Sequence, residues 1–260
     1  TMGCEMEIDS TGEVVNSKIF EAVIKSTERM TYKDVNKIYS GDEGLISQYQ
    51  DIHQLLLDAK ELSEAIAIKK YKAGMLDFDI DESEIKFDKS QKAIDVVLKP
   101  RGFSEKMIEQ FMVCANETVG STLEKLELTS IYRIHGTPPL EKLEDFYKFA
   151  RHFGKHFEAK QKDIKPKDIQ TILNLYKDEP YFFSIAIQVL RSMDKAVYSD
   201  ENIGHFGLAS DSYSHFTSPI RRYPDLILHR LIRDYILSDT PQNIQYWKNN
   251  ISNMASHTSD

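Results

Sequence analysis

The segment from Asn202 to Ile236 constrains the fold more than any other stretch of the chain. It reads NIGHFGLASDSYSHFTSPIRRYPDLILH and then RLIRDYI. Its second half predicts a helix over 224–236, with Pro224 in the first turn, where a missing N–H does no harm. Leu226, Ile227, Leu228, Leu231, Ile232 and Ile236 cover so much of that helix that it must be largely buried. The polar turn in front of it, Thr217-Ser218-Pro219 followed by Arg221 and Arg222, therefore stands at the edge of a core. His205-Phe206-Gly207-Leu208 reads as a short edge strand or loop, and His215-Phe216 repeats its histidine–aromatic pair.

Arginines beside a core need partners, because an unpaired buried charge is very costly. Asp225 and Asp234 can serve two of Arg221, Arg222, Arg230 and Arg233. Arg221 lies between Pro219-Ile220 and the helix start, which aims its guanidinium at a groove floor rather than at bulk water. A guanidinium fork, the free N–H groups of a helix end and the hydroxyls of Thr217 and Ser218 together suit a phosphodiester oxygen. Two other readings stay open on the residues alone. The turn can be an ordinary surface turn with its arginines satisfied by nearby acids, or the site can take a small carboxylate. The histidines can equally be structural, since none has the HxxxH or HExxH spacing of a helical metal site.

The rest of the chain supplies a body for this segment. It has 260 residues, 41% of them hydrophobic, with 13 Phe and 13 Tyr, enough for a sizeable core. A net charge of -8 argues against a diffuse coating of nucleic acid or anionic membrane, but leaves room for a local basic groove. Two cysteines, Cys4 and Cys114, offer neither a disulfide framework nor metal spacing, which suggests a reducing, cytoplasmic setting. No apolar run approaches the roughly 18 residues of a membrane span. The chain opens like a strand already under way and closes like a polar helix cut short, so both ends read as internal to a longer protein.

Periodicity predicts a hairpin or meander over 2–28, a helix after a Thr31 cap, and a long helix over 50–75 with an apolar stripe ended by Gly74. Strands follow within 77–98. A helix capped by Ser104 runs over 104–126, its apolar character interrupted in mid-helix by Asn116-Glu117. Shorter helices are expected over 138–153 behind a Thr137 cap, over 168–176, and from 179 to about 193. No linker divides the chain, so one domain covering 1–260 is expected. Helices should pack around a mostly antiparallel sheet in an α+β fold. The acidic run at Asp77, Asp79, Asp81, Glu82, Glu84 and Asp88 lacks the central glycine and final glutamate of a calcium loop and is rejected as a metal site.

Several spaced blocks carry a family resemblance. AVYS at 196–199, NIGHFGLA at 202–209 and YSHFTSPIRRYPDLILHR at 213–230 resemble the end of the catalytic (RNB) domain of the RNase II/RNase R family. MEIDSTGEVV at 6–15, RMTYKDVNKI at 29–38, FMVCANETV at 111–119 and YRIHGTPP at 132–139 look like earlier parts of it, so the resemblance runs nearly end to end. The fit is better to the RNase R branch. It implies a barrel-like antiparallel sheet wrapped by helices, and Mg2+-dependent 3'-to-5' hydrolysis of single-stranded RNA to 5'-nucleoside monophosphates. It implies that Arg221 is the catalytic arginine, and that RNA contacts come from His205, Thr217, Ser218, Tyr223, Asn116, Glu117, Tyr132, Arg133 and His135. The family's metal ligands lie in a GxDxxDxDD-like aspartate motif that does not occur here. The Mg2+ ligands are therefore expected outside this chain, which by itself should be inactive and able to self-associate. A non-catalytic RNA-binding or scaffold module is the alternative, and a metabolic enzyme acting on a carboxylate is a more distant one.

Overall fold

The computed structural model describes residues 1–78, 82–99, 101–158, 160 and 162–259. The chain begins with an antiparallel ribbon, β1 (Met2–Ile8) and β2 (Val14–Glu21), in register at Cys4↔Ile19. Asp9 closes its turn by accepting from the Thr11 and Glu13 amides and the Thr11 hydroxyl. The strand expected to continue to residue 28 stops at Glu21. Val23 and Ile24 beyond it are fully or largely exposed and belong to no strand among the described residues.

Helix α1 (Tyr32–Tyr39) starts where the Thr31 hydroxyl accepts from the Asp34 amide at 3.2 Å. A short helix that the sequence did not announce, α2 (Glu43–Gln48), is capped by Asp42. Helix α3 (Gln50–Ala73) ends at Gly74, whose φ of 105° is the left-handed conformation that suits glycine. Its apolar stripe is only partly used. Leu56 and Ile66 are buried, whereas Leu55, Leu62 and Tyr71 remain exposed. A second ribbon, β3 (Glu82–Phe87) with β4 (Ala93–Lys99), packs chiefly on itself. The acidic run falls partly at 79–81, outside the described residues.

Helix α4 (Phe103–Lys125) is the central strut, touching α1, α3, β1 and β2. Gly102, not Ser104, caps it. Ser104 lies one residue inside the helix, and its amide donates to the Asn36 side chain of α1 at 2.9 Å. Then come β5 (Tyr132–Ile134), α5 (Leu140–Arg151), α6 (Pro166–Tyr176), α7 (Phe182–Ser192) and β6 (Val197–Ser199), which pairs with β5. Pro139 rather than Thr137 caps α5, with no side-chain bond. His205 to Ser210 forms a 3-10 turn bridged to His135, not an edge strand. Helix α8 (Tyr223–Ile232) runs into a π turn over Arg233–Leu237 and is followed by α9 (Ile244–His257).

The described strands thus pair as three separate two-stranded ribbons rather than as one sheet, and no closed barrel forms among them. The interior is correspondingly divided into three clusters. One joins Val119, Leu123, Phe216, Leu228, Leu231 and Ile251. A second lies among α5, α6 and α7 and includes Phe206. The third, around Val35, Ile38 and Leu56, is small. The segment from Phe206 to Phe216 links the two large clusters, placing the histidine-rich stretch at their seam. Among the described residues no helix is long and apolar enough to cross a membrane.

Candidate functional site

The site is built around the loop from Tyr213 to Arg222. Asn116 in α4 holds its first part. The Asn116 amide group donates to the Tyr213 hydroxyl at 3.0 Å, and its oxygen accepts from the Phe216 and Thr217 amides at 2.9 and 3.2 Å. Asp225 in α8 holds the second part. This carboxylate is fully buried and accepts from the Ser218 amide at 2.7 Å and from Arg222 Nη2 at 2.8 Å. His229 contacts the Phe216 carbonyl at 2.8 Å. Between these anchors the backbone makes a tight turn in which the Arg221 and Arg222 amides both donate to the Ser218 carbonyl.

The two adjacent arginines are therefore unlike. Arg222 is half-buried and neutralised by Asp225, with the Thr217 hydroxyl accepting from it at 3.4 Å. Arg221 is exposed and has no acidic partner among the described residues. It is exposed rather than set against a groove floor. Tyr223 beside it, at the start of α8, is 49% exposed. Asp234, expected to pair with an arginine, instead accepts from the Trp247 indole at 2.7 Å and from Asn243. Arg233 lies 3.7 Å from Glu21.

A row of rings runs along the inner side of the loop. His135 and His205 are 5.0 Å apart at their centroids, His205 and Tyr213 5.5 Å, Tyr213 and His215 5.5 Å, and His215 and Tyr198 5.6 Å. The Arg133 guanidinium caps the row, 4.6 Å above the Tyr198 ring. The histidines in it are neutral. Burial, reinforced by His135, pulls His205 down to about 3. Burial and the Arg222 and Arg133 cations pull His215 down to about 3. His135 is lowered by burial as well. Its Nδ1 accepts from the Gly207 amide at 3.0 Å, so the proton sits on Nε2, 3.0 Å from the Asp194 carbonyl.

Three residues expected to touch RNA are thereby interior. Asn116 is 1% exposed, Tyr132 5% and His135 8%, and the polar atoms of Asn116 and His135 are committed to protein. Glu117 lies in a cleft of about 670 Å³ between β2, α3, α4 and the 209–212 loop, where it is paired with the buried Lys70. Nothing in the local sequence around Lys70 marks this pairing, because its partner lies 47 residues away. Tyr198 and Tyr213 were also missed, although Tyr213-Ser214-His215 spaces two rings as neighbours on one side of an extended segment. Among the described residues no group of three or more His, Cys, Asp or Glu can hold a metal ion, so the described residues do not fit a resident Mg2+.

Residues 1–238 match the RNB domain, and the chain belongs to the RNB-domain family. Within it the similarity is to ribonuclease R. Ribonuclease R 1 of Lactococcus lactis is 42% identical over all of this chain and 32% of its own length. Ribonuclease R of Thermotoga maritima is 39% identical over all of this chain and 37% of its own length. The chain thus spans about a third of the curated relatives it matches. The apo form of Mycoplasma genitalium RNase R superposes with a TM-score of 0.91 at 30% identity, over all of this chain and 41% of that one. The same enzyme in complex with ribose-methylated single-stranded RNA gives 0.90 at 31% identity, over 99% of this chain and 40% of that one.

Proposed function

We propose that this chain is the arginine-bearing part of a hydrolytic 3'-to-5' exoribonuclease that degrades single-stranded RNA to 5'-nucleoside monophosphates. In that reaction water attacks the terminal phosphodiester phosphorus, the P–O3' bond breaks, and a new 3'-hydroxyl is left on the shortened strand. The observation that carries the reading is the asymmetry of the paired arginines. Arg222 is spent on Asp225, while Arg221 stands exposed and uncompensated beside Tyr223. A free, planar guanidinium suits a phosphate whose charge grows in the transition state. His205, His215 and Tyr198, which are part-exposed, form with Arg133 a wall for terminal bases and ribose. Thr217, Ser218 and Tyr223 line the approach to Arg221, and Glu117 with Lys70 lines the neighbouring cleft.

Mg2+ belongs to this reading through the family. Its ligands, and the strands that would complete a barrel-like sheet, are assigned to parts of the protein outside this chain. The 260 residues act as one domain, are inactive alone, and serve in the cytoplasm, in keeping with the unpaired thiols Cys4 and Cys114. The test is single-turnover hydrolysis of oligoadenylate by full-length protein carrying Arg221→Lys or Arg222→Lys. The Arg221 variant should lose about a hundredfold in rate with little change in RNA affinity. Equal defects in the two variants, or an Arg221 variant weakened only in binding, would sink the assignment. A full-length protein that binds RNA and hydrolyses none in Mg2+ would favour the non-catalytic module instead.

A further inference from the structure

Asn116 sits in the middle of α4, where a polar side chain with 1% exposure needs a reason. Only one orientation of its amide satisfies its surroundings. The oxygen faces two backbone N–H donors, those of Phe216 and Thr217, and the nitrogen faces the Tyr213 hydroxyl. Its own carbonyl accepts from the Ser214 amide at 3.3 Å. One side chain and its backbone thus fix the loop at four points, Tyr213, Ser214, Phe216 and Thr217. One turn further along the helix, Gly120 lets that loop lie flat against α4, since a Cβ there would stand 3.1 Å from the Ser214 nitrogen. Ser214 in turn bonds the Ile131 carbonyl at 2.9 Å. On the opposite side, buried Asp225 takes the Ser218 amide and the Arg222 guanidinium.

We propose that Asn116 and Asp225 are positioning residues that act through Arg221: gripping the 213–222 loop from α4 and α8, they fix the turn that presents the free guanidinium. Neither side chain reaches the surface, so neither touches RNA. Asp225 has a second effect. By neutralising Arg222 it leaves Arg221 as the one uncompensated guanidinium of the pair. The inference rests on Arg221 being the phosphate-binding group, and its test separates the two claims.

Full-length Asn116→Ala, Asn116→Asp and Asp225→Asn are assayed for single-turnover rate, RNA affinity and melting temperature, alone and combined with Arg221→Ala. A displaced loop should cost on the order of a hundredfold in rate with affinity little changed. Asn116→Asp should keep most of the rate, because its oxygen still accepts from Phe216 and Thr217 and the Tyr213 hydroxyl can turn its proton toward the second one. In the Arg221→Ala background, Asn116→Ala and Asp225→Asn should cost nothing further. Losses that multiply with Arg221→Ala would overturn the positioning role, as would a wild-type rate in Asn116→Ala. If Arg221→Ala alone kept full activity, the Arg221 assignment itself would fall. Should Asn116→Ala not fold, Asp225→Asn keeps the shape of the buried side chain and decides the question by the same criterion.

Discussion

At the scale of the residue, the site separates groups that keep their charge from groups that have lost it. Arg221 is exposed and has no acidic partner among the described residues. His205 and His215, although close to arginines, are held neutral down to about pH 3 by burial and by those same cations. Neither imidazole then competes with Arg221 for phosphate or adds to its charge. The linkage has a definite sign. An unfolded histidine binds its proton near pH 6.5, whereas these two stay neutral in the fold until about 3. The unfolded chain therefore binds more protons in that window. Stability is full above pH 6.5 and declines as pH falls toward 3. Imidazole NMR resonances of His205 and His215 should show no midpoint between pH 5 and pH 8. A midpoint near 6.5 for either would contradict the burial argument. The melting temperature should also fall from pH 7 to pH 4.5, less steeply in a His215→Gln variant.

At the scale of the element, α3 and α4 are joined by the Lys70–Glu117 pair, whose side chains are 6% and 21% exposed. Two charges withdrawn from water add little net stability while both are present, but removing one leaves the other stranded. Glu117→Ala should therefore destabilise the fold by about 3 kcal/mol, and Lys70→Met added to it should recover most of that loss. Denaturant titration of the single and double variants checks this. If the double variant is as unstable as the single, stranded charge is not the cause. Glu117 also faces the cleft, so the RNA contact proposed for it is tested in the double variant, where the stability defect is relieved. The π turn after α8 is tied to α9 by the Trp247–Asp234 hydrogen bond, which places the sole tryptophan as a reporter of that junction.

At the scale of the whole molecule, the two large core clusters meet at the 206–216 segment, which gives Phe206 to one and Phe216 to the other. Calorimetry of the 260 residues should give one cooperative transition. Two independent transitions would divide the chain at that seam. The β3–β4 ribbon is the part least supported by the rest. Ile85, Phe87, Ile94, Val96 and Leu98 are 50–65% exposed. The register Ile85↔Val96 and Ser83↔Leu98, with the period-two alternation of strands, puts them on one face. An uncovered apolar face of this kind promotes association. Sedimentation of the isolated chain should show concentration-dependent self-association that Ile85→Lys with Val96→Glu abolishes. An unchanged profile would assign the association to another surface.

What the sequence determined by itself was whatever local chemistry and periodicity encode. The helices α3, α4 and α8 were legible from apolar spacing, the Gly74 stop from its left-handed requirement, and the Thr31 cap from the hydroxyl before an apolar run. The family was legible from SHFTSPIRRYPD and its companion blocks. Tertiary structure decided what depends on which distant groups meet. The pairing of Arg222 with Asp225 leaves Arg221 free, and two adjacent arginines in a sequence carry no mark of which one an acid will take. The burial of Asn116 turns an expected RNA contact into a scaffold for the loop, because residues 97 to 101 positions away supply its partners. Lys70 meets Glu117 across two helices, 47 residues apart. The strands form three ribbons because pairing depends on which edges are brought together, and alternation along each strand does not say.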